Sequence, residues 1–162
     1  MFVEEHDIDL ITPEQLFKIA DYISLHCPLT DETQGIINHR SIDLMKAGVS
    51  IINTARGGLV VESDLVAALE SGKVANAGLD VFEQEPVDPE NPLLSMDNVA
   101  TTNHYASYSE IAWERAQTQL GEEATRIATG SLPMSFINKE LISKIPKMKP
   151  AQLWEVYKEN FK

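Results

Sequence analysis

Three side chains have types and positions in the sequence that would suit binding of a carboxylate and transfer of a proton. Arg56, Glu85 and His104 each follow a separate short apolar run, of the kind that ends a buried strand. An arginine guanidinium binds a carboxylate through two parallel hydrogen bonds. Histidine titrates near neutral pH and can pass a proton to or from a carbinol oxygen, and Glu85 could hydrogen-bond it and fix its tautomer. Asp80 could accept from an amide or a ribose hydroxyl.

The elements that must position these residues alternate between helix and strand. Thr12 is predicted to cap the first helix, with Gln15 three residues later, and Ser41 is predicted to cap the second. Continuous apolar strands are typical of a sheet covered on both faces. The patterns predict helices at 12–20, 41–48, 62–72 and 107–130, and strands at 22–26, 49–54, 77–82 and 98–102.

This alternation predicts an α/β fold, with a parallel sheet and helices on both of its faces. In such sheets, ligands bind beyond the carboxyl ends of the strands. The sequence therefore predicts that Arg56, Asp80, Glu85 and His104 share one crevice, although they are far apart in the chain. Gly57 and Gly58 would let the backbone turn sharply beside Arg56.

Composition excludes several classes of function. The 162 residues carry a net charge of −12, with −15 on residues 1–138 and +3 on residues 139–162. An acidic body argues against binding nucleic acid or an anionic membrane, because both need clustered basic residues. No apolar run approaches the ~20 residues of a membrane span, and the N-terminus lacks the pattern of a signal peptide.

The cysteine count and the spacing of possible metal ligands restrict the location and function further. Cys27 is the only cysteine, so no disulfide can form within the chain, and a reducing, cytoplasmic location is expected. No group of histidine, cysteine and acidic residues has the spacing of a zinc site. The acidic stretch 80–91 lacks the pattern of a calcium-binding loop, so no metal site is predicted.

Three segments carry a resemblance to a known family. They are "SLHCPLTDETQGIIN", "MKAGVSIINTARGGLVVESDLVAALESGKVANAGLDVFEQEP" and "TTNHYASYSE". In order and spacing they resemble signatures of the D-isomer-specific 2-hydroxyacid dehydrogenases, which include phosphoglycerate, glyoxylate/hydroxypyruvate and D-lactate dehydrogenases. The resemblance covers roughly residues 10–138. It implies NAD-linked hydride transfer between a 2-hydroxy acid and a 2-oxo acid, with NADP not distinguished from NAD.

The resemblance also implies a role for each matching residue. Arg56 falls on the arginine that binds the substrate carboxylate and carbonyl, and His104 falls on the histidine that acts as acid and base. Glu85 falls on the glutamate that partners this histidine, and Asp80 on the aspartate at the nicotinamide side of the cofactor. The implied cofactor-binding residues are Cys27, Pro28, Thr54, Ala55, Arg56, Asp80 and His104.

Two departures from the family pattern affect the interpretation. Asn103 stands where the family usually has a proline before the histidine, and no G-x-G-x-x-G phosphate loop occurs in the chain. We therefore expect a partial Rossmann-type, doubly wound half-domain with a long C-terminal helix. Residues 1–138 would be the C-terminal part of the NAD-binding domain. Residues 139–162 would be a basic tail, either an appended helix or a remnant returning to the substrate domain.

Two functions remain open at this point. The chain could supply the catalytic and NAD-binding portion of a dehydrogenase, or it could be a truncated, inactive half-domain with an oligomerising or regulatory role. With its neighbour missing, the strand 22–26 would form an open edge exposing Ile23 and Leu25, which predicts a homodimer. Alternatively, the apolar residues of the tail 139–162 could fold back over that surface.

Overall fold

The computed structural model describes residues 2–134, and the chain divides after Ala106 into two units. The first unit holds a four-stranded sheet in the order β1-β2-β3-β4. Its strands are β1 (Tyr22–Leu25), β2 (Val49–Asn53), β3 (Val74–Leu79) and β4 (Val99–Thr101). Its helices are α1 (Phe2–Glu5), α2 (Pro13–Ile19), α3 (His39–Leu44) and α4 (Glu62–Glu70), with 3-10 turns at Gly57–Leu59 and Pro92–Leu94. The second unit contains α5 (Glu110–Ala128).

All neighbouring strands pair in parallel, which confirms the predicted α/β fold. Ile51 of β2 lies opposite Ile23 of β1 and Ala77 of β3, and Ala77 in turn lies opposite Val99 of β4. Because the strands run in one direction, their carboxyl ends form one edge of the sheet. The loops that carry Arg56, Asp80 and His104 all leave from this edge.

Apolar side chains of strands and helices form one core in the first unit. Alternate residues of β2, Val49 and Ile51, are fully buried at its centre. Phe17 of α2, Ile42 of α3 and Leu65 of α4 belong to the same cluster. Burying side chains of this size contributes about 1.5–3 kcal/mol each, so the core fixes the strand ends from which the site loops depart.

The cap predicted for α2 is confirmed, and the cap predicted for α3 is wrong. Thr12 Oγ1 accepts from the Gln15 amide at 3.3 Å, and Gln15 Oε1 accepts from the Thr12 amide at 2.9 Å. Helix α3 is capped by Asn38, whose Oδ1 accepts from the Arg40 amide at 2.9 Å. Ser41 is instead the third helical residue, and its hydroxyl accepts from the Asn38 amide at 2.9 Å. Asparagine and serine are both good caps, and here they form the two halves of one capping box.

The third strand lies three residues earlier than predicted. It was expected at 77–82, whereas β3 spans Val74–Leu79. Val81 and Phe82 are apolar and buried, and so imitate strand residues in the sequence. They lie outside the sheet because the neighbouring strand β2 ends at Asn53, which is opposite Leu79. The shift makes Asp80 the first residue beyond the strand.

Strand β1 forms an edge of the sheet, as expected, but its apolar side chains are not exposed. Ile23 and Leu25 are only 2% and 7% accessible, which overturns the prediction that they are exposed. In an edge strand, one row of backbone N–H and C=O groups faces outward in the plane of the sheet, while the side chains point above and below that plane. Ile23 and Leu25 therefore reach the core, whereas Tyr22 and Ser24, at the alternate positions of the strand, stay exposed.

The second unit is a single long helix in the described residues. Helix α5 begins after Ser109, whose hydroxyl accepts from the Ala112 amide at 3.1 Å, and it is shorter than the predicted 107–130. None of its residues is buried, and its apolar side chains Ile111 and Leu120 are exposed. The predictions for the tail 139–162 lie outside the described residues.

Candidate active site

The loop after β2 places Arg56 at the carboxyl edge of the sheet. Asn53, the buried last residue of β2, accepts from the Ala55 amide at 3.1 Å and donates to the Arg56 carbonyl at 2.9 Å. These two hydrogen bonds turn the chain tightly. Arg56 itself is exposed, and its Nη1 donates to the Ala55 carbonyl at 2.6 Å.

Gly57 brings this loop against the loop after β3. A Cβ atom at Gly57 would overlap the carbonyl group of Phe82, so the two backbones touch with no side chain between them. Only glycine permits such an approach without displacement of one loop. Because Arg56 precedes Gly57 and Glu85 follows Phe82, the contact brings these two charged residues into the same neighbourhood.

Glu85 holds the ring of His104. Its Oε2 lies 2.9 Å from His104 Nδ1, and its Oε1 accepts from the Phe82 amide at 3.1 Å. The hydrogen bond from His104, followed by that from Phe82, lowers the pKa of Glu85 although burial opposes them, and the charges of His104 and Arg56 lower it further. An ionised carboxylate only accepts, so the proton sits on Nδ1. Nε2 is then the ring atom that can exchange a proton with a ligand.

Asp80 holds the backbone around His104. The Asp80 carbonyl accepts from the His104 amide at 2.8 Å, and its carboxylate accepts from the Tyr105 and Ala106 amides at 2.7 and 2.8 Å. The Thr102 hydroxyl donates to the same carboxylate. His104 has a φ of 62°, in the left-handed region that residues other than glycine seldom adopt. Hydrogen bonds centred on Asp80 thus support this conformation.

Asp80 is ionised in the folded chain despite being buried. Burial by itself would raise the pKa of its carboxyl group. The hydrogen bonds from Thr102, Ala106 and Tyr105, together with the charge of His104, act in the opposite direction and lower the pKa below the ordinary 3.8. The folded state therefore stabilises the charged form of Asp80, as it does that of Glu85.

Acid is expected to weaken the first unit through these two carboxylates. Both have lower pKa values folded than unfolded, so their contribution is complete above the ordinary values of 3.8 and 4.5 and is lost as the pH falls below them. We expect the free energy of urea unfolding to decline below about pH 4.5, and Asp80→Asn to flatten this decline and cost about 1–3 kcal/mol at pH 7. The exposed Asp97→Asn is the control, and equal pH profiles for the two variants would contradict the assignment.

Two concavities at this edge contain the predicted site residues. One, of about 690 Å³, is lined by Asp80, Glu85 and His104 and by the apolar side chains of Phe82, Val87 and Leu94, among others. The other, of about 720 Å³, is lined by His26, Cys27, Pro28, Leu29, Ala55 and Arg56. Thr54 directly follows β2 at the same edge. Glu85 and His104 are thus hydrogen-bonded to each other, whereas Arg56 interacts with Glu85 through electrostatic attraction.

The contacts of two residues at the site, Thr102 and Glu62, were not predicted from the sequence. Thr102 donates to the Asp80 carboxylate across a separation of 22 residues, and no local pattern pointed to this contact. Glu62 contacts the Glu83 amide and the Asn91 side chain, at separations of 21 and 29 residues. Val61, the residue before α4, cannot cap the helix with its side chain. This missing cap was the only local sign of a contact between Glu62, at the start of α4, and a residue distant in the chain. Among residues 2–134, no group of three or more histidines, cysteines or acidic residues is placed to hold a metal ion.

Comparison with known proteins identifies the family to which this geometry belongs. A sequence profile described as "D-isomer specific 2-hydroxyacid dehydrogenase, NAD binding domain" matches residues 2–106. The chain belongs to the D-isomer-specific 2-hydroxyacid dehydrogenase family. That match confirms the resemblance found in the three sequence segments, and it covers the whole of the sheet and the loops at its carboxyl edge.

Individual members of the D-2-hydroxyacid dehydrogenase family match over most of this chain. It is 43% identical over 141 residues to a D-3-phosphoglycerate dehydrogenase of Methanocaldococcus jannaschii, covering 86% of this chain and 27% of that protein. It is 37% identical over 145 residues to a glyoxylate reductase of Korarchaeum cryptofilum, covering 90% and 44%. The chain thus spans less than half the length of these relatives.

Solved structures of the family share the fold. The NAD-complexed form of a D-isomer-specific 2-hydroxyacid dehydrogenase from Lactobacillus delbrueckii ssp. bulgaricus aligns with a TM-score of 0.75 and 31% identity. The alignment covers 82% of this chain and 44% of that one. No helix within the described part of the chain has the length and apolar character to cross a membrane.

Proposed function

We propose that this chain supplies the acid/base and nicotinamide-side residues of an NAD-dependent dehydrogenase that interconverts 2-hydroxy acids and 2-oxo acids. The observation that carries the proposal is the His104–Glu85 pair, 2.9 Å apart, at the same sheet edge as Arg56. A proton donor and a carboxylate-binding cation at one edge suit a substrate in which a carboxylate lies next to a carbonyl or a carbinol.

Each residue has a role in the reaction written as a reduction. Arg56 binds the substrate carboxylate and orients the neighbouring carbonyl. The hydride that the carbonyl carbon receives would come from bound NADH. His104, as imidazolium, gives its Nε2 proton to the carbonyl oxygen, which becomes a hydroxyl, while the Nδ1 proton stays on the ring and is donated in the hydrogen bond to Glu85. The negative charge of Glu85 stabilises the imidazolium before the transfer and keeps the ring in one orientation.

The residues present fit the nicotinamide end of the cofactor. Cys27, Pro28 and Ala55 line a concavity beyond the ends of β1 and β2, where dinucleotides bind in this fold. The Asp80 carboxylate already accepts three hydrogen bonds, and the two oxygens of a carboxylate offer about four lone-pair sites. One site thus remains for an amide donor such as the carboxamide. The preference for NAD over NADP would depend on residues that read the ribose, which this chain does not supply.

Weak cofactor binding by this chain alone is the expected result. The pyrophosphate of a dinucleotide is held by a glycine-rich loop at a helix N-terminus, and the 162 residues contain no G-x-G-x-x-G. We expect calorimetric titration with NAD to give no micromolar binding and the chain alone to show no dehydrogenase turnover. Micromolar affinity for NAD would contradict this division of the site.

A second candidate function is an inactive, oligomerising half-domain, and the open edge strand β1 favours it. Tyr22 of β1 is 75% exposed, and within the described sheet the strand has a neighbour, β2, on one side only. A homodimer formed at this edge would bury Tyr22 and give β1 a second neighbour. We expect light scattering at micromolar concentration to give twice the monomer mass of 18.0 kDa. A mass near 18.0 kDa would reject the dimer.

A further inference from the structure

One glutamate outside the predicted site bridges the two ends of the loop that carries Glu85. Glu62 is the first residue of α4, and its Oε1 accepts from the Glu83 amide at 2.6 Å. Its Oε2 accepts from Asn91 Nδ2 at 2.7 Å. The loop 83–91, which we call the Glu85 loop, is therefore closed at both ends by a single side chain.

Both anchor points are themselves tied to the fold. The Glu83 carboxylate accepts from the Glu62 amide at 3.3 Å, at the N-terminus of α4, where Val61 offers no side-chain cap. Asn91 Oδ1 accepts from the Leu93 amide at 3.0 Å, and Leu93 is fully buried. The ends of the Glu85 loop are thus connected to helix α4 on one side and to the core on the other.

Between these anchors the loop has short-range hydrogen bonds of its own. Glu85 Oε1 accepts from the Phe82 amide at 3.1 Å, and Asp88 accepts from the Glu90 and Asn91 amides at 2.9 Å each. The residues of the loop are exposed apart from the partly buried Val87 and Asn91. Glu85 must nevertheless keep its Oε2 within 2.9 Å of His104 Nδ1, on the separate loop that follows β4. Fixing the ends of a short loop restricts the positions open to its middle, because conformational freedom falls as the chain between fixed points shortens.

We propose that Glu62 is a positioning residue that closes the Glu85 loop and thereby holds Glu85 against His104. Its significance for catalysis rests on the proposed function, but the contact itself does not. The simpler role of an acidic residue in the first turn is to interact with the helix dipole. That role would affect the stability of α4 alone and would leave the Glu85–His104 pair unchanged.

Substitution at Glu62 separates these roles. Glu62→Gln keeps the size of the side chain and one acceptor for the Glu83 amide, but it turns an NH₂ group toward the Asn91 NH₂ group. Asn91→Ser removes the same bridge from its other end, with a side chain too short to reach Glu62. Glu70→Gln, at the exposed last position of α4, is the control for loss of a negative charge on that helix.

The test is an NMR titration of the Glu85 side-chain carboxyl carbon in the full 162-residue chain. In the wild type, the hydrogen bond from His104 holds the pKa of Glu85 below its ordinary value of 4.5. We expect this pKa to rise toward 4.5 in Glu62→Gln and in Asn91→Ser, and to stay at the wild-type value in Glu70→Gln. Amide spectra would confirm that the sheet remains folded, and Asn91→Ser would decide the result if Glu62→Gln does not fold.

An unchanged Glu85 pKa in folded Glu62→Gln and Asn91→Ser would overturn the proposal. The measurement uses neither cofactor nor substrate, so its outcome is independent of the proposed function. If the pKa responds as expected but a completed enzyme shows no turnover, the proposed function fails and the positioning role of Glu62 remains.

Discussion

Replacing Gly57 with alanine will force apart the loops that follow β2 and β3. The new methyl group would overlap the Phe82 carbonyl, and a backbone carbonyl cannot rotate away as a flexible side chain can. Strand pairing fixes the start of both loops, since Asn53 lies opposite Leu79. We therefore expect a loss of about 3 kcal/mol in the free energy of urea unfolding, at the upper end of the usual cost of overpacking.

A matched control for Gly57→Ala is available in the same sheet. Gly78 lies in β3, and a Cβ there would meet Ile52 at 3.8 Å, an ordinary contact distance. Gly78→Ala should therefore be far less destabilising. The Gly57 variant should also weaken the effect of the Arg56 charge on Glu85, seen as a rise in the pKa of Glu85. Equal stabilities for Gly57→Ala and Gly78→Ala would contradict the close approach of the two loops.

Replacing His104 with glutamine is expected to have the largest effect on catalysis. In the proposed reaction His104 Nε2 supplies the proton, and a glutamine amide can donate a hydrogen bond but cannot transfer the proton. General acid catalysis contributes about 10²–10⁴-fold, so kcat should fall by that factor while KM changes little. The measurement requires a completed enzyme, for which the Korarchaeum glyoxylate reductase offers a host, because this chain matches 44% of its length.

A position-matched comparison guards that result against misfolding. Asn103 is exposed beside His104, and Asn103→Pro introduces the proline that the family resemblance implies at that position. We expect the Asn103→Pro enzyme to retain activity. A His104→Gln enzyme with the kcat of the unmodified protein would remove His104 from the mechanism.

Local patterns were sufficient to predict the sheet and the placement of its loops. Continuous apolar runs predicted β1, β2 and β4 to within two residues, and parallel pairing then brought Arg56 and His104 to one edge. The prediction for β3 was wrong because Val81 and Phe82 are apolar for a different reason: they are buried beyond the end of the sheet. A hydrophobicity pattern records burial and does not distinguish its causes.

Contacts between distant side chains could not be predicted in the same way. The bridge from Glu62 to Asn91 spans 29 residues, and the contacts of the Asp80 carboxylate span 22 to 26 residues. No periodicity links such positions, because their distance depends on where several loops pass. The burial of Ile23 and Leu25 was missed for a related reason, since an open backbone edge says nothing about the faces of the strand.

The proposed function is tested most directly by asking whether this chain can provide the catalytic half of a working dehydrogenase. In the Korarchaeum glyoxylate reductase, the segment that matches this chain would be replaced by residues 1–162, and oxidation of NADH would be followed with glyoxylate as substrate. We expect turnover that requires Arg56, Glu85 and His104. A folded hybrid that binds NADH but reduces no 2-oxo acid, under conditions in which the parent enzyme does, would contradict the proposed function.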